Sequence, residues 1–349
     1  MRRLFLLYVC AIMLIACGTP TTIQEPAPPP TATQPPPPTA TQPPPPTETA
    51  APELCRERPV ASGKAPNSNE LQPGGTRLRI ARSDEMKHWV VDDTVLLDQA
   101  ATPSLTLSPD GMPMLYMTAH AVDGKRDGFA VSVGNRDATM WRHCYANLVD
   151  FPRWFAGVDP DVVQISAQQY RIFLTGNVAE GQRQLGIHYA DSSDGITWTY
   201  GGIAFAPQDS VIDSMTFRIG DTWHMYVLPM QGIDMIHATS TDGKTFAQVS
   251  QAPRRINGQP HVFSQTWVFA EDDAPPSAWV FGFGPRGTGI SMAMSQDGET
   301  WTDLQSNVNP ILSVADGDHL FVKDPAIVYF GRQSGMYQPF LVVYATAIP

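Results

Sequence analysis

The chain has 349 residues, 23 Lys and Arg against 34 Asp and Glu for a formal charge of −11, and only 16% charged residues. That balance excludes a binder that works by neutralising nucleic-acid phosphates, and four cysteines are too few to build a disulfide-rich miniprotein. After the first twenty residues no apolar run is long enough to span a bilayer.

Arg2 and Arg3 precede an apolar run from Leu4 to Ala16, the charged and hydrophobic regions of a secretory signal. The run ends Leu14-Ile15-Ala16-Cys17-Gly18, which resembles the bacterial lipobox. The resemblance implies a signal peptide over 1–16, cleavage before Cys17, lipidation of that cysteine and a place in the bacterial cell envelope, held to the membrane by the anchor alone. Residues 18–52 hold fourteen prolines and repeat Thr31–Pro38 as Thr39–Pro46. With no recurring apolar side chains this segment builds no core, and its prolines favour an extended polyproline II stalk. The domains expected are therefore 1–16, 17–52 and a folded unit over 53–349. Cys55 and Cys144 remain in an exported, disulfide-permissive compartment and are expected to bridge; a buried pair of free thiols is the alternative.

Two motifs repeat along the folded unit. Ser193-Asp194-Gly195-Ile196-Thr197-Trp198, Thr241-Asp242-Gly243-Lys244-Thr245-Phe246 and Gln296-Asp297-Gly298-Glu299-Thr300-Trp301 are strong copies of one; Ser83-Asp84 leading to Trp89, and Arg136-Asp137-Ala138-Thr139-Met140-Trp141, are weaker copies. Asp-Gly between apolar runs is a turn, because Gly accepts positive φ. The second motif is a short apolar strand opened by a polar residue: Thr102-Pro103, Asp159-Pro160, Asp213-Ser214, Gln259-Pro260-His261 and Asp324-Pro325, spaced 57, 54, 46 and 65 residues apart. Aromatic-rich strands follow at 114–118, 170–174, 223–228, 279–283 and 340–345, and third strands such as 187–190 and 290–294 lead into the turns.

Four strands per unit and five units predict an all-β, five-bladed β-propeller. The chain ends after the second strand of its last unit, so Leu78–Val91 is expected to supply that blade's outer strands and close the ring. Inner strands of a propeller line its axis, so Thr102, Asp159, Asp213, Gln259, His261 and Asp324 are expected around one cavity. Converging carboxylates suit glycoside hydrolysis, where one protonates the leaving oxygen and another activates water or attacks. Crowding raises the pKa of at least one of them.

The segment Ser83-Asp84-Glu85-Met86-Lys87-His88-Trp89 and the Asp-Pro strand openings resemble five-bladed glycoside hydrolases of the family 43 and family 32 type. The resemblance implies an oligo- or polysaccharide substrate, Asp324 as general base, Asp159 as the aspartate that tunes the acid, and Asp213 in place of the family's general-acid Glu. It places His261 where the family has an axial His near a bound cation; no cofactor is otherwise implied, and calcium near the axis is compatible with it. Asp213 is one methylene shorter than Glu and lacks the following Gly-Pro, which leaves open a non-catalytic propeller that binds glycan or a protein partner. Each residue also has a plainer role: Asp before Pro as a turn residue, and His261 as a satisfied interior histidine. Trp154 and Phe155 are expected on the rim, as a sugar platform or as packing. The turn aspartates 194, 242 and 297 are expected to be structural. The turns are similar to sialidase Asp-boxes but one residue shorter, and that family's arginine triad is absent. No Gly-rich phosphate loop, His/Cys metal spacing or Gly-x-Ser-x-Gly elbow is present.

Overall fold

A computed structural model describes residues 55–349 except 123, 125, 233, 270–275, 305–308, 317–319 and 332–337. The predicted signal, Cys17 and the stalk lie outside the described residues. Five sheets form the five blades, each with four antiparallel strands; Asn147–Val149 adds a parallel strand to the outer edge of the second. The first blade runs outward through Ala100–Leu107, Pro113–Ala119, Gly128–Gly134 and Trp141–Tyr145. The second runs through Val158–Ser166, Gln169–Asn177, Leu185–Ser192 and Thr197–Phe205, and the third through Val211–Ile219, Thr222–Pro229, Asp234–Ser240 and Ala247–Pro253. The fourth comprises Val262–Phe269, Ser277–Phe283, Gly289–Ser295 and the two-residue Thr302–Asp303.

The fifth blade joins the two ends of the domain as expected. Its inner strands are Lys323–Tyr329 and Phe340–Ala347, its outer strands Thr76–Ser83 and Val90–Asp98. Thr76–Ser83 pairs with Phe340–Ala347 without a register break, from Thr76↔Ala347 to Ser83↔Phe340. This seam leaves the ring no open inner edge.

Period-two side-chain alternation explains why the second strands are largely apolar on both faces. In Phe340–Ala347, Leu341, Val343 and Ala345 face the first blade, while Val342 and Tyr344 face the fourth. In Gln169–Asn177, Tyr170, Ile172 and Leu174 pack on the first blade and Phe173 on the third. The core is thus five interblade layers, each shared by two neighbours.

The Asp-Gly repeats form the turns between third and outer strands. Asp194 Oδ1 accepts from the Ile196 and Thr197 amides, both at 2.7 Å, and from the Ser192 hydroxyl at 3.0 Å. Asp242 and Asp297 repeat this with Ser240 and Ser295. These carboxylates are occupied by their own turns, and the Thr300 amide chiefly holds Asp297 down at about 2. The fourth turn residue is left-handed in all five blades: Met86, Ala138, Gly195, Gly243 and Gly298 have φ of 62°, 56°, 73°, 67° and 75°. In four of the five turns a carbonyl is also a neighbouring blade's acceptor, while the Met86 carbonyl takes the indole N–H of Trp89 in its own turn. Tyr116 donates to Gly195 O (3.0 Å), Tyr226 to Gly298 O (2.7 Å), Arg171 to Asp242 O (3.1 Å) and Arg82 to Asp137 and Ala138 O.

Cys55 and Cys144 form a disulfide with Cα atoms 5.3 Å apart, which ties the start of the described chain to the outer strand of the first blade. The flanking backbone bonds to the same edge through Arg58 N to His143 O and Tyr145 N to Arg56 O, both 2.9 Å.

Candidate active site

The inner strands of four blades break register in the same way. Pairing with the second strand skips from Ala101 to Ser104, Val158 to Asp161, Ile212 to Met215 and Lys323 to Ala326. The residue after each break point is left-handed without being glycine: Thr102 (φ 45°), Asp159 (50°), Asp213 (52°) and Asp324 (50°). Asp tolerates this region better than most residues, and Pro103, Pro160 and Pro325 have no amide to lose from the ladder. Each bulge re-aims one side chain. Residues from all four converge on one axial cavity, with Ser264, Val262 and Phe283 from the fourth blade.

Threonines on the second strands support the bulges. Thr118 Oγ1 accepts the Asp159 amide at 2.8 Å and lies 2.7 Å from Thr102 Oγ1. Thr175 Oγ1 accepts the Asp213 amide at 3.3 Å. The Thr175 and Thr102 hydroxyls also bond the Asp159 carboxylate. Lys323, beside Asp324 in sequence, places Nζ 3.0 Å from Asp324 Oδ2, and both side chains are nearly buried.

Burial and mutual charge raise two of the three carboxylates. Burial, followed by the charges of Asp159 and Asp324, pushes Asp213 well above the usual carboxylate range, and Asp213 shares a hydrogen bond with Asp159. Asp159 is pushed up to about 6 by burial and then by the Asp324 charge, against the two threonine hydroxyls and Lys323. Burial disfavours the Lys323 ammonium, but Asp324, Asp213 and Asp159 together raise its pKa. The arrangement favours the protonated form of Asp213 beside a Lys-paired Asp324. Its open volume is about 30 Å³, room for roughly one water.

The structure therefore brings Thr102, Asp159, Asp213 and Asp324 together. It corrects the fourth position. Gln259 is exposed, and Gln259-Pro260 pairs with Arg255-Ile256 in a small hairpin outside the blades. His261 is buried, its Nδ1 2.9 Å from the Gln259 carbonyl oxygen, and burial lowers its pKa. Neither lines the cavity; Ser264 occupies that place. The hairpin turn is Asn257-Gly258, both at positive φ (51° and 73°), and that dipeptide is the sequence signal that separates hairpin from blade.

Trp154 and Phe155 do not line the axial cavity either. Phe155 is buried against His188 (ring centroids 4.6 Å apart) and Tyr200, in space left by Gly157 and Gly176, where a Cβ would overlap its ring. Trp154 packs beside it at the interface of the first two blades. Sequence reasoning missed Lys323, Thr118, Thr175 and Asp161. Asp161, two residues beyond Asp159, is buried, its Oδ2 lacks a hydrogen-bond partner, and burial holds its pKa well up. Thr118 and Thr175 each follow an axial residue by 16 positions, Thr102 and Asp159, which is the one trace they leave in the sequence. Among the described residues no group of three or more His, Cys, Asp or Glu is arranged to hold a metal ion; Lys323 is the cation placed among these carboxylates.

No protein-family profile matches the sequence, and no curated protein matches it. Solved structures do. A thermostable family-43 glycoside hydrolase is similar over 71% of this chain and 83% of its own, with a TM-score of 0.53 and 16% identity. The catalytic domain of a family-62 α-L-arabinofuranosidase from Coprinopsis cinerea aligns over 78% of this chain and 97% of its own, at TM-score 0.49 and 13% identity. An endo-arabinase from Bacteroides thetaiotaomicron aligns over 71% and 94%, at 0.47 and 13%. At such identities the likeness is one of architecture: this chain has the five-bladed β-propeller fold of the family-43 glycoside hydrolase.

Proposed function

We propose that the protein is carbohydrate-active and hydrolyses a glycosidic bond at the axial carboxylates. One observation carries the reading: three aspartates from three blades, each on a left-handed bulge, meet in one cavity, where burial and mutual charge raise Asp159 and Asp213 and Lys323 pairs with Asp324. Environments that separate carboxylate pKa values assign acid and base. Asp213, held protonated, donates to the leaving oxygen. Asp324, ion-paired with Lys323, takes the proton of the attacking water. Asp159, hydrogen-bonded to Asp213, tunes the acid. A single displacement of this kind inverts the anomeric centre. The test is turnover of an oligosaccharide panel, with the product anomer read by NMR. Asp213→Asn and Asp324→Asn should each cost about 10²–10⁴ in rate; turnover unchanged in either variant would remove that residue from the mechanism.

The 30 Å³ volume favours a second reading. A cavity of that size admits no sugar ring between the carboxylates, which fits a propeller that binds glycan or a partner elsewhere on its surface and does not cleave it. Wild-type binding without turnover across the panel would establish this reading.

We also infer that the protein is exported, cleaved before Cys17, lipidated there and held to a bacterial membrane by the anchor, with residues 18–52 as spacer. The support is the lipobox resemblance and the proline-rich run. Mass spectrometry of the N-terminal peptide tests this; an unmodified Cys17 in membrane-fraction protein would refute it.

A further inference from the structure

The axial channel has a second mouth. Inner strands enter the ring at the carboxylate cavity and run parallel to the other end, where their last residues line a cavity of about 220 Å³. Gln265 closes the channel between the two. Its Nε2 donates to Leu105 O at 2.7 Å, and its Oε1 accepts the Leu105 and Ile327 amides at 3.3 and 2.9 Å, joining three blades across the axis. The larger cavity is therefore a separate compartment.

Its lining is distinctive. Thr106, Thr216 and Thr266 come from the inner strands of three blades, Gln164 adds an amide, and Trp267 gives a partly exposed aromatic surface. The Thr266 hydroxyl has no hydrogen-bond partner in the protein, and the Thr216 hydroxyl is shared with the buried Asp161 carboxyl. Arg218, the one charged residue of the lining, is paired with Asp221 at 3.2 Å. A wall of hydroxyls and amides that donate and accept, a ring surface and no unpaired charge suit a neutral polyhydroxylated ligand rather than an ion. The volume lies below the roughly 300 Å³ at which pockets for drug-sized molecules begin, which limits the occupant to a single ring.

We infer that this mouth binds one neutral sugar ring, as a terminal unit or free monosaccharide, independently of the axial carboxylates. The inference rests on this cavity's own lining and stands whether or not the carboxylate site is catalytic.

The test is calorimetric titration of Asp324→Asn protein, so that no turnover is read, with methyl glycosides of glucose, galactose, xylose and arabinose up to ~50 mM; at least one should bind with a Kd of about 1–10 mM. The variant Thr266→Val in that background replaces an unpartnered hydroxyl with a methyl group of similar size, so the fold should hold, which a thermal melt checks. It should weaken binding at least about tenfold. Arg218→Ala, at an exposed position, should weaken binding about threefold without altering the melt. Failure of all four glycosides to bind, or binding unchanged in Thr266→Val, would overturn the inference. In the second case the sugar sits elsewhere on the molecule.

Discussion

Asp159 should make the protein less stable than it could be. Its carboxyl is raised from 3.8 to about 6 by burial and by the Asp324 charge. A difference of about two pH units between folded and unfolded states corresponds to about 3 kcal/mol against the folded state once both are ionised. The sign is fixed by proton uptake. Between pH 6 and 3.8 the folded protein binds a proton that the unfolded chain does not, so the wild type recovers that stability as the pH falls. Asn keeps an oxygen for the Thr102 and Thr175 hydroxyls, tolerates φ of 50° as well as Asp does, and carries no charge. Allowing about half the gain for the coupled carboxylates and the new amide, Asp159→Asn should be more stable by about 1–2 kcal/mol at pH 7.5, or about 2–5 °C in Tm for a domain of this size. Calorimetric melts of both proteins at pH 7.5, 6, 5 and 4 measure the difference, which should shrink steadily and vanish near pH 4. A variant less stable at pH 7.5, or a difference that does not change with pH, would refute the electrostatic account. The expected gain is itself informative, because stability forgone in a cavity is the usual mark of a site kept for chemistry.

The stacked pair His224 and His237, with ring nitrogens 3.1 Å apart, should make the protein acid-labile. Burial, then the charges of His224 and Arg254, lowers His237 to about 4, so stability present above pH 6.5 is lost as pH falls towards 4, by up to about 2–3 kcal/mol. Melts of His237→Phe should show a flatter slope over that window, and equal slopes would exclude the pair as the cause. Replacing both cysteines of the Cys55–Cys144 bridge, which closes a loop of 89 residues, should cost about 2–4 kcal/mol, measured by urea unfolding. Gly195→Ala puts a methyl at φ 73° and 2.6 Å from the Tyr116 hydroxyl. It should cost about 2–3 kcal/mol by the same assay, from backbone strain and the disturbed Tyr116–Gly195 bond, whereas Tyr116→Phe alone should cost about 1 kcal/mol. Equal losses in the two would place the whole effect in the hydrogen bond.

The fold was legible because each blade writes its own punctuation. Ser, Asp and Gly recur at the third turn and Trp or Phe three residues after the glycine position, and the left-handed position follows even where Met86 and Ala138 replace Gly. Asp159, Asp213 and Asp324 were legible for the same reason: a polar residue opening an apolar strand repeats about every 55 residues. Gln259-Pro260 imitates that opening. Tertiary pairing overrides it, and with Ser264 as the fourth-blade position the spacings become 57, 54, 51 and 60, more even than with Gln259. Lys323 was not legible, since alternation along a strand sends neighbours to opposite faces and only the bulge at Asp324 brings the two side chains together. Phe155 was misplaced because its partners Gly157 and Gly176 act by lacking side chains, which no pattern of polar and apolar residues records.

The position of the disulfide sets how the ring bears tension. The seam strand Thr76–Ser83 lies in the fifth blade, but the chain leading to it is fastened at Cys55 to the outer strand of the first. A pull on the chain before Cys55 passes through sulfur into Cys144 and spreads over the first blade's sheet as shear. It does not reach Thr76, where the same force would peel the seam one pair at a time. For a domain held by its N-terminal side, the bridge moves the load from the strand that closes the ring to a blade that is already complete.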